Sequence, residues 1–178
     1  MIPGEKVYLK AIEQEDLDSL MNWRNIPEFR KHFRESREIN SDMQKKWFET
    51  TVLNDSRTIM FSIFNNATNN LIGCCGLCYI NWVHRHADLS LYIGHEQAYI
   101  DDYGFAEDAC KLLLHYGFME LNIHKIWSEL YEFDSKKIAL FKKIGFSVDG
   151  NLRDNYFFDG KWWNSIIFSL LSTELECR

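Results

Sequence analysis

Apolar and polar residues follow two different patterns along the chain, and each pattern predicts a different element. Alternation with a period of two, or a short apolar run, predicts strands at residues 7–12, 58–65, 71–80, 86–94, 124–131, 151–158 and 161–171. Apolar residues at helical spacing predict helices at residues 14–25, 41–53, 106–121 and 134–145. Strands and helices are therefore mixed along the whole chain.

Short-range signals mark where several of these elements begin and end. Pro27 closes the first helix, because proline cannot continue it. Ser41, with Gln44 three residues later, forms a capping box that starts the second helix. Asp134 caps the last helix and Gly145 ends it, since glycine adopts the left-handed conformation common at helix ends.

The last two predicted strands form a hairpin. Asp159 and Gly160 lie between them and have the composition of a tight hairpin turn. The chain has 178 residues, a length that suits one domain, and its composition shows neither a repeat nor a linker. We predict a single domain over residues 1–178, of the mixed α/β (α+β) class, with a largely antiparallel sheet.

Composition narrows the kinds of partner that this domain has. Hydrophobic residues make up 46% of the chain and aromatic residues 15%, as in a globular protein. The formal charge of −6 disfavours nucleic acid, which is bound by concentrated lysine and arginine. No apolar run approaches the ~20 residues of a membrane helix, and the first residues do not resemble a secretory signal. We expect a cytoplasmic protein with no membrane partner.

The five cysteines do not follow the spacing of a disulfide framework or a zinc site. Cys74, Cys75 and Cys78 lie in one predicted strand, where adjacent side chains point to opposite faces. Cys110 and Cys177 are isolated in the sequence. We expect buried thiols and no metal site.

Gly104 raises the first question about function, because it opens the longest predicted helix and lies among four acids. Asp101 and Asp102 precede it, and Glu107 and Asp108 follow it. A helix start offers unpaired N–H groups and the positive end of the helix dipole, which together bind phosphate. The alternative is a glycine that only allows a tight turn, with first-turn acids that favour the dipole.

The surroundings of Gly104 resemble a known family. The sequence over residues 93–126 and 134–170 is similar to the GNAT superfamily of acetyl-CoA-dependent N-acetyltransferases, and residues 21–30 and 44–49 are typical of one of its branches. That branch holds ribosomal-protein, spermidine and amino-sugar acetyltransferases. The resemblance implies acetyl-CoA as acetyl donor, an amine acceptor, a sheet splayed open for the donor and about four flanking helices. A homodimer is a possible assembly.

By this resemblance, residues 101–106 form the loop that wraps the CoA pyrophosphate. Gly104 and Ala106 match its last two fixed positions. Asp101 stands where the family has arginine or glutamine, and Asp102 stands where many members have glycine. We expect these acids to point into solvent or to repel the phosphates. The residues assigned to the cofactor by the resemblance are Tyr92, Ile93, Asp102, Tyr103, Gly104, Phe105, Ala106, Asp134, Phe141 and Lys143.

Acetyl transfer to an amine requires a base, because an amine like that of lysine is protonated at neutral pH. The resemblance assigns this role to Asp88, with Glu129 or water as alternatives; Asp88 is otherwise a surface acid of an edge strand. The backbone N–H of Tyr92 or a neighbour is expected to polarise the thioester carbonyl. Phe141 replaces the tyrosine that protonates the leaving thiolate in many members, and Tyr131 is a substitute.

The acceptor is expected to bind between the first two helices and the final hairpin. The predicted binding residues are Trp23, Arg24, Arg30, Trp47 and Tyr156. The arginines favour a small molecule or an amino-sugar nucleotide, because guanidinium pairs with phosphate or carboxylate. A protein N terminus or a polyamine is the alternative acceptor. A non-catalytic CoA-binding domain of the same fold is a hypothesis of another class.

Overall fold

The computed structural model describes residues 1–175. Its strands are β1 (Ile2–Pro3), β2 (Val7–Ala11), β3 (Ile59–Asn65), β4 (Leu71–Asn81), β5 (His86–Ile93), β6 (Lys125–Tyr131), β7 (Ser147–Phe158) and β8 (Lys161–Leu171). Its helices are α1 (Leu17–Asn25), α2 (Pro27–Arg30), α3 (Ser41–Trp47), α4 (Phe105–His115) and α5 (Ser135–Ile144). None of the helices in this part of the chain is long and apolar enough to cross a lipid bilayer.

The strands form one sheet in the order β1-β2-β3-β4-β5-β6-β8-β7. Neighbouring strands are antiparallel except β5 and β6, which are parallel. The predicted mixed fold with a largely antiparallel sheet is therefore confirmed. The structure adds the short helix α2 and the short strand β1 to the predicted elements.

Some element boundaries differ from the prediction for local reasons. Pro27 follows the end of α1 and is also the first residue of α2, where its missing N–H leaves no bond unmade. Asn40, and not Ser41, caps α3, because the Asn40 side chain accepts a hydrogen bond from the Met43 N–H at 2.9 Å. β7 begins at Ser147, earlier than the predicted residue 151.

Both predicted ends of the last helix are confirmed. The Asp134 side chain accepts a hydrogen bond from the Lys137 N–H at 3.2 Å, which satisfies a donor of the first turn of α5. Gly145 ends α5 with a φ angle of 110°, in the left-handed region. The dihedral angles of the β7–β8 turn are also positive, at 52° for Asp159 and 75° for Gly160.

The hydrophobic core lies between the sheet and the helices, and it takes up the thiols. Cys74, Cys75 and Cys110 are buried, and Cys78 is half-buried. Burial raises the pKa of the Cys74 thiol to about 12, so this side chain behaves as a small apolar group. The predicted burial is confirmed for Cys74, Cys75 and Cys110 and is only partial for Cys78. Cys177 lies outside the described residues.

β5 and β6 lie side by side only at their first residues. The last pair between them joins Asp88 to Trp127, although β5 continues to Ile93 and β6 continues to Tyr131. We call the gap beyond this pair the opening. Neighbouring strands ordinarily satisfy each other's backbone hydrogen bonds, so the opening leaves backbone groups of both strands to other partners.

Candidate active site

The alternation of β5 decides which backbone groups face the opening. The Gly94 N–H donates to a β4 carbonyl at 2.7 Å, whereas the Ile93 N–H donates away from β4, to the Tyr99 carbonyl at 2.8 Å. Successive residues of a strand direct their backbone groups to opposite edges. The N–H of Tyr92 therefore faces β4, and the N–H of its neighbour Leu91 faces the opening, where it is available to polarise a carbonyl.

The side chains of Tyr92 and Ile93 are part of the core, which corrects their assignment to the cofactor. The Tyr92 side chain is buried, and its hydroxyl donates to the Leu20 carbonyl at 3.4 Å. Burial raises the pKa of Tyr92 well above its ordinary value. Ile93 is fully buried, and its N–H is already bonded. Ile93 therefore presents no group to the opening, whereas the Tyr92 side chain lines the cavity that continues from it.

Two side chains satisfy the β5 carbonyls that face the opening. The Ser128 hydroxyl donates to the Leu89 carbonyl at 3.0 Å, and the Lys137 ammonium donates to the Leu91 carbonyl at 3.0 Å. Lys137 is buried, which is uncommon for a lysine, and its burial lowers its pKa. The opening thus brings one backbone N–H and one ammonium group together at Leu91.

The two candidate bases meet at the inner end of the opening. Asp88 is 4% exposed, which corrects its description as a surface acid. Its carboxylate accepts a hydrogen bond from the Arg34 guanidinium at 2.5 Å. The same guanidinium lies 3.6 Å from the Glu129 carboxylate, which also accepts a hydrogen bond from Asn155 at 2.8 Å. One cation therefore lies between both acids.

Burial and neighbouring charges shift the pKa values of this cluster in opposite directions. Burial raises the pKa of Asp88, and the Arg34 charge offsets only part of that rise. Burial also disfavours the charge of Arg34, but Asp88 and Glu129 outweigh this effect and raise the pKa of Arg34. Arg34 therefore stays a cation. The pKa of Asp88 moves in the direction that a base working near neutral pH requires.

A cavity of about 240 Å³ continues from the opening, and we call it the central cavity. Its walls combine apolar and aromatic side chains with acids and bases. The lining includes Leu20, Arg24, Phe33, Arg34, Glu35, Trp47, Met60, Tyr79, Asp88, Glu129, Tyr131 and Lys137. Arg24 and Trp47 are thus the predicted acceptor residues that reach this cavity.

The other predicted acceptor residues lie outside the central cavity, and their assignment is corrected. The Trp23 indole covers Gly94, where an added Cβ would lie 1.9 Å from the ring. Arg30 forms an ion pair at 3.7 Å with an exposed glutamate. Tyr156 stacks on Tyr131, with 3.7 Å between the ring centroids, and does not itself line the cavity.

Asp101 has a structural role in the loop that contains Gly104. Gly104 opens α4 with a φ angle of 89°, which side-chain-bearing residues rarely adopt. The Asp101 carboxylate accepts hydrogen bonds from the N–H groups of Phe105 at 2.9 Å and Ala106 at 2.7 Å. Asp101 therefore caps α4 and does not point into solvent, in contrast to Asp102, whose side chain is 94% exposed.

A second cavity, of about 310 Å³, lies between this loop and α5, and we call it the loop cavity. Four of the predicted cofactor residues line it: Asp102, Gly104, Ala106 and Lys143. Lys136 adds a second ammonium group. The side chains of Tyr103 and Phe105 belong to the same loop but do not line the cavity. Because Asp101 uses the first amides of α4, the N–H groups at 102–104 are left to bind a phosphate. The lysines would join them by exchanging their present ion pairs, which Lys136 forms with Asp102 and Lys143 forms with Glu107.

Asp134 and Phe141 contact neither the opening nor the loop cavity, which corrects their assignment to the cofactor. Asp134 caps α5, accepts a hydrogen bond from the Tyr99 hydroxyl at 3.1 Å and lies 3.3 Å from a ring nitrogen of His32. Phe141 is fully buried and stacks on Phe146, with 4.4 Å between the ring centroids.

Arg34 and Lys137 are site residues that the sequence did not reveal. Arg34 lies in the segment between α2 and α3, which has no periodicity to predict its direction. Lys137 did carry a signal, because Leu140 and Phe141 follow it at helical spacing and form the buried face of α5. A lysine on that face is directed towards the interior.

Comparison with known proteins finds relatives over most of the chain. Residues 6–147 match the family described as an acetyltransferase (GNAT) domain. Spermidine N(1)-acetyltransferase of Vibrio cholerae is 30% identical over 162 residues, 89% of each chain. The Escherichia coli (strain K12) protein of that name is 36% identical over 94 residues, 53% of this chain and 49% of that protein. The crystal structure of the Vibrio cholerae enzyme in complex with CoA and spermine has a TM-score of 0.87 at 26% identity, covering 96% of this chain and 98% of that chain.

The two acids before Gly104 are expected to respond differently to removal of their charge. Asp101→Asn should lower the free energy of unfolding by about 1 kcal/mol, because one charged acceptor of the α4 amides is lost. Asp102→Asn is the matched control and should leave the free energy of unfolding unchanged, since its side chain is 94% exposed and solvent screens its ion pair with Lys136. Urea denaturation of both variants measures the difference. Equal stabilities would contradict the capping role of Asp101.

Proposed function

We propose that this chain, which belongs to the GNAT family of acetyltransferases and takes its acetyl group from acetyl-CoA, acetylates a primary amine of an aliphatic polyamine. Family membership makes the chain an N-acetyltransferase, and this disfavours a non-catalytic CoA-binding domain. The spermidine N-acetyltransferase relatives favour the polyamine over an amino-sugar nucleotide. A single domain over residues 1–178, a cytoplasmic location and a homodimer stay predictions.

The observation that carries this proposal is the pairing of acids with apolar walls in the central cavity. Asp88, Glu129 and Glu35 line it, and Trp47 and Met60 are among its apolar walls. A polyamine has ammonium groups separated by methylene segments, so it requires both kinds of surface. Arginines already lie against these acids, since Arg34 pairs with Asp88 and Glu129 and Arg37 pairs with Glu35, so these positions stabilise positive charge.

The described residues fit acetyl-CoA at two points. In the loop cavity, the N–H groups at 102–104 and the ammonium groups of Lys136 and Lys143 would hold the pyrophosphate. In the opening, the Leu91 N–H would donate to the acetyl carbonyl and stabilise the negative charge that develops on its oxygen. Acetyl-CoA supplies the activated thioester.

Asp88 is the base that we propose for removing the proton from the acceptor ammonium. Asp88 precedes Leu91 by three residues of β5, roughly 10 Å at the rise of a strand, so the proton would pass through water. Its raised pKa favours proton uptake relative to an ordinary aspartate. Glu129, at the wall of the cavity and 3.6 Å from the Arg34 guanidinium, would bind an ammonium group of the acceptor.

An amino-sugar nucleotide is the second candidate acceptor, and one observation favours it. Arg24 lines the central cavity, and its Nε atom is buried without a hydrogen-bond partner in the described part of the chain. A phosphate or carboxylate of the acceptor would supply that partner. Arg24 otherwise packs on the Phe33 ring, with 4.7 Å between its guanidinium carbon and the ring centroid.

Acetyl transfer to a panel of amines tests the acceptor. Spermidine should be acetylated with a kcat/KM at least tenfold above that for amino-sugar nucleotides or peptides that start with serine or alanine. Glu129→Gln should raise the KM for spermidine about tenfold, a loss of ~1.4 kcal/mol, because an acid of the binding site is removed. Glu132→Gln is the matched control, since Glu132 bonds Asn164 instead and does not line the cavity. Preference for the nucleotides would favour the second candidate.

The pH dependence of kcat/KM tests Asp88 and Arg34 together. Activity should fall on the acid side at a pH above 3.8, the ordinary pKa of aspartate, because burial raises the pKa of Asp88. Arg34→Met should move this fall to still higher pH, since the charge that lowers the pKa is removed. Asp88→Asn should reduce kcat about a hundredfold. Arg57→Met, at an ion pair with Asp55 outside the cavity, is the control. If the activity of Arg34→Met falls at the same pH as that of the wild type, the assignment of Asp88 as the base is refuted.

A further inference from the structure

We propose that Lys137 donates the proton that the sulfur of CoA requires when the thioester bond breaks. The usual tyrosine position of the family holds Phe141, which has no proton to give and is fully buried. The proposal rests on acetyl transfer from acetyl-CoA, and it does not depend on which amine is the acceptor.

The position of Lys137 supports this role. The residue lies in the first turn of α5, and its buried side chain brings Nζ to 3.0 Å from the Leu91 carbonyl, beyond the last pair of β5 and β6. An ammonium group has three donors. One of them satisfies this carbonyl, and within residues 1–175 no carboxylate lies within 4.0 Å of Nζ. The remaining donors are available to a group in the opening.

The reacting atoms and the ammonium meet on the same edge of β5. The N–H and C=O of one residue in an antiparallel strand point to the same side, so the Leu91 N–H faces the opening together with the carbonyl that binds Lys137. A thioester whose carbonyl accepts from this N–H has its sulfur one bond from the carbonyl carbon. With its sulfur turned towards the Leu91 carbonyl, the thioester would place that sulfur next to the Lys137 ammonium.

The proton balance of the step closes without a further reactant. The acceptor nitrogen bonds to the carbonyl carbon, the C–S bond breaks, and its electron pair goes to sulfur. Lys137 gives a proton to the sulfur, which yields the CoA thiol and a neutral lysine. The nitrogen then releases its surplus proton as the amide forms, and this proton returns to Lys137 through water. The proton that the acceptor ammonium loses before the nitrogen attacks goes to the proposed base, Asp88.

The groups around Lys137 are compatible with a proton donor. Burial lowers the pKa of Lys137 from its ordinary 10.5, while the Asp134 and Asp88 carboxylates oppose the fall and Arg34 adds to it. The Cys110 thiol is buried with a raised pKa and stays neutral. The lowered pKa of Lys137 lies closer to the pKa of a free thiol, which is ~8.5. Transfer of the proton to sulfur therefore becomes easier than from an ordinary lysine.

The tyrosines near the opening are less suited to this step. Burial raises the pKa of Tyr131, and its ring is covered by Tyr156. Burial also raises the pKa of Tyr99 well above its ordinary value, and the Tyr99 hydroxyl already donates to Asp134 at 3.1 Å. A rise in the pKa makes each hydroxyl a weaker acid.

Titration of CoA bound to the protein tests the proposal without any acceptor. The ultraviolet absorbance of the thiolate, followed against pH at saturating CoA, gives the pKa of the bound thiol. The Lys137 ammonium should hold this pKa below that of free CoA, and Lys137→Met should raise it by about one unit, a tenfold change in the ionisation constant. Lys142→Met, exposed on the same helix, should titrate like the wild type. Equal thiol pKa values in the wild type and Lys137→Met would overturn the proposal.

A second measurement keeps the test decisive if Lys137→Met fails to fold. The pKa of the Lys137 ammonium in the wild type is followed by nitrogen-15 NMR in complexes with CoA and with desulfo-CoA, which lacks the sulfur. The pKa should be higher with CoA, because a neighbouring thiolate stabilises the ammonium. The same pKa in both complexes would mean that Lys137 only satisfies the Leu91 carbonyl.

Discussion

The divergence of β5 and β6 after the Asp88–Trp127 pair is the constraint on which the rest of the site depends. Buried backbone groups need partners, so two strands that separate must either close again or recruit side chains. Here Ser128 and Lys137 satisfy the carbonyls of Leu89 and Leu91, and the Leu91 N–H faces the gap. The same divergence that leaves backbone groups unpaired creates a place for an acetyl group.

Charge is arranged around this gap in two clusters. At its inner end, Arg34 holds Asp88 and Glu129 on one guanidinium, which keeps two acids close together without strong repulsion. At the loop, Asp101 takes the first amides of α4, so a phosphate would depend on the N–H groups at 102–104 and on nearby lysines. The two acids expected to repel a phosphate therefore differ in role: Asp101 caps α4, and the Asp102 side chain is exposed to solvent.

Local signals predicted most of the fold, because caps and hairpin turns depend on a few adjacent residues. Asp134, Gly145 and the Asp159–Gly160 turn behave as expected, and the error at Ser41 is a shift of one residue to Asn40. The site was harder to predict, since the strand pattern does not tell which edge of β5 is unpaired. That information depends on the divergence of β6, which lies more than thirty residues further along the chain.

Hydrogen exchange at the Leu91 amide tests the central claim most directly, because this amide is the group that the opening makes available. Acetyl-CoA at saturation should slow exchange at Leu91 strongly, by tenfold or more (~1.4 kcal/mol of protection). The Tyr92 amide, which already faces β4, should change much less. Unchanged exchange at Leu91 in the presence of bound acetyl-CoA would contradict the account and would place the acetyl group elsewhere in the protein.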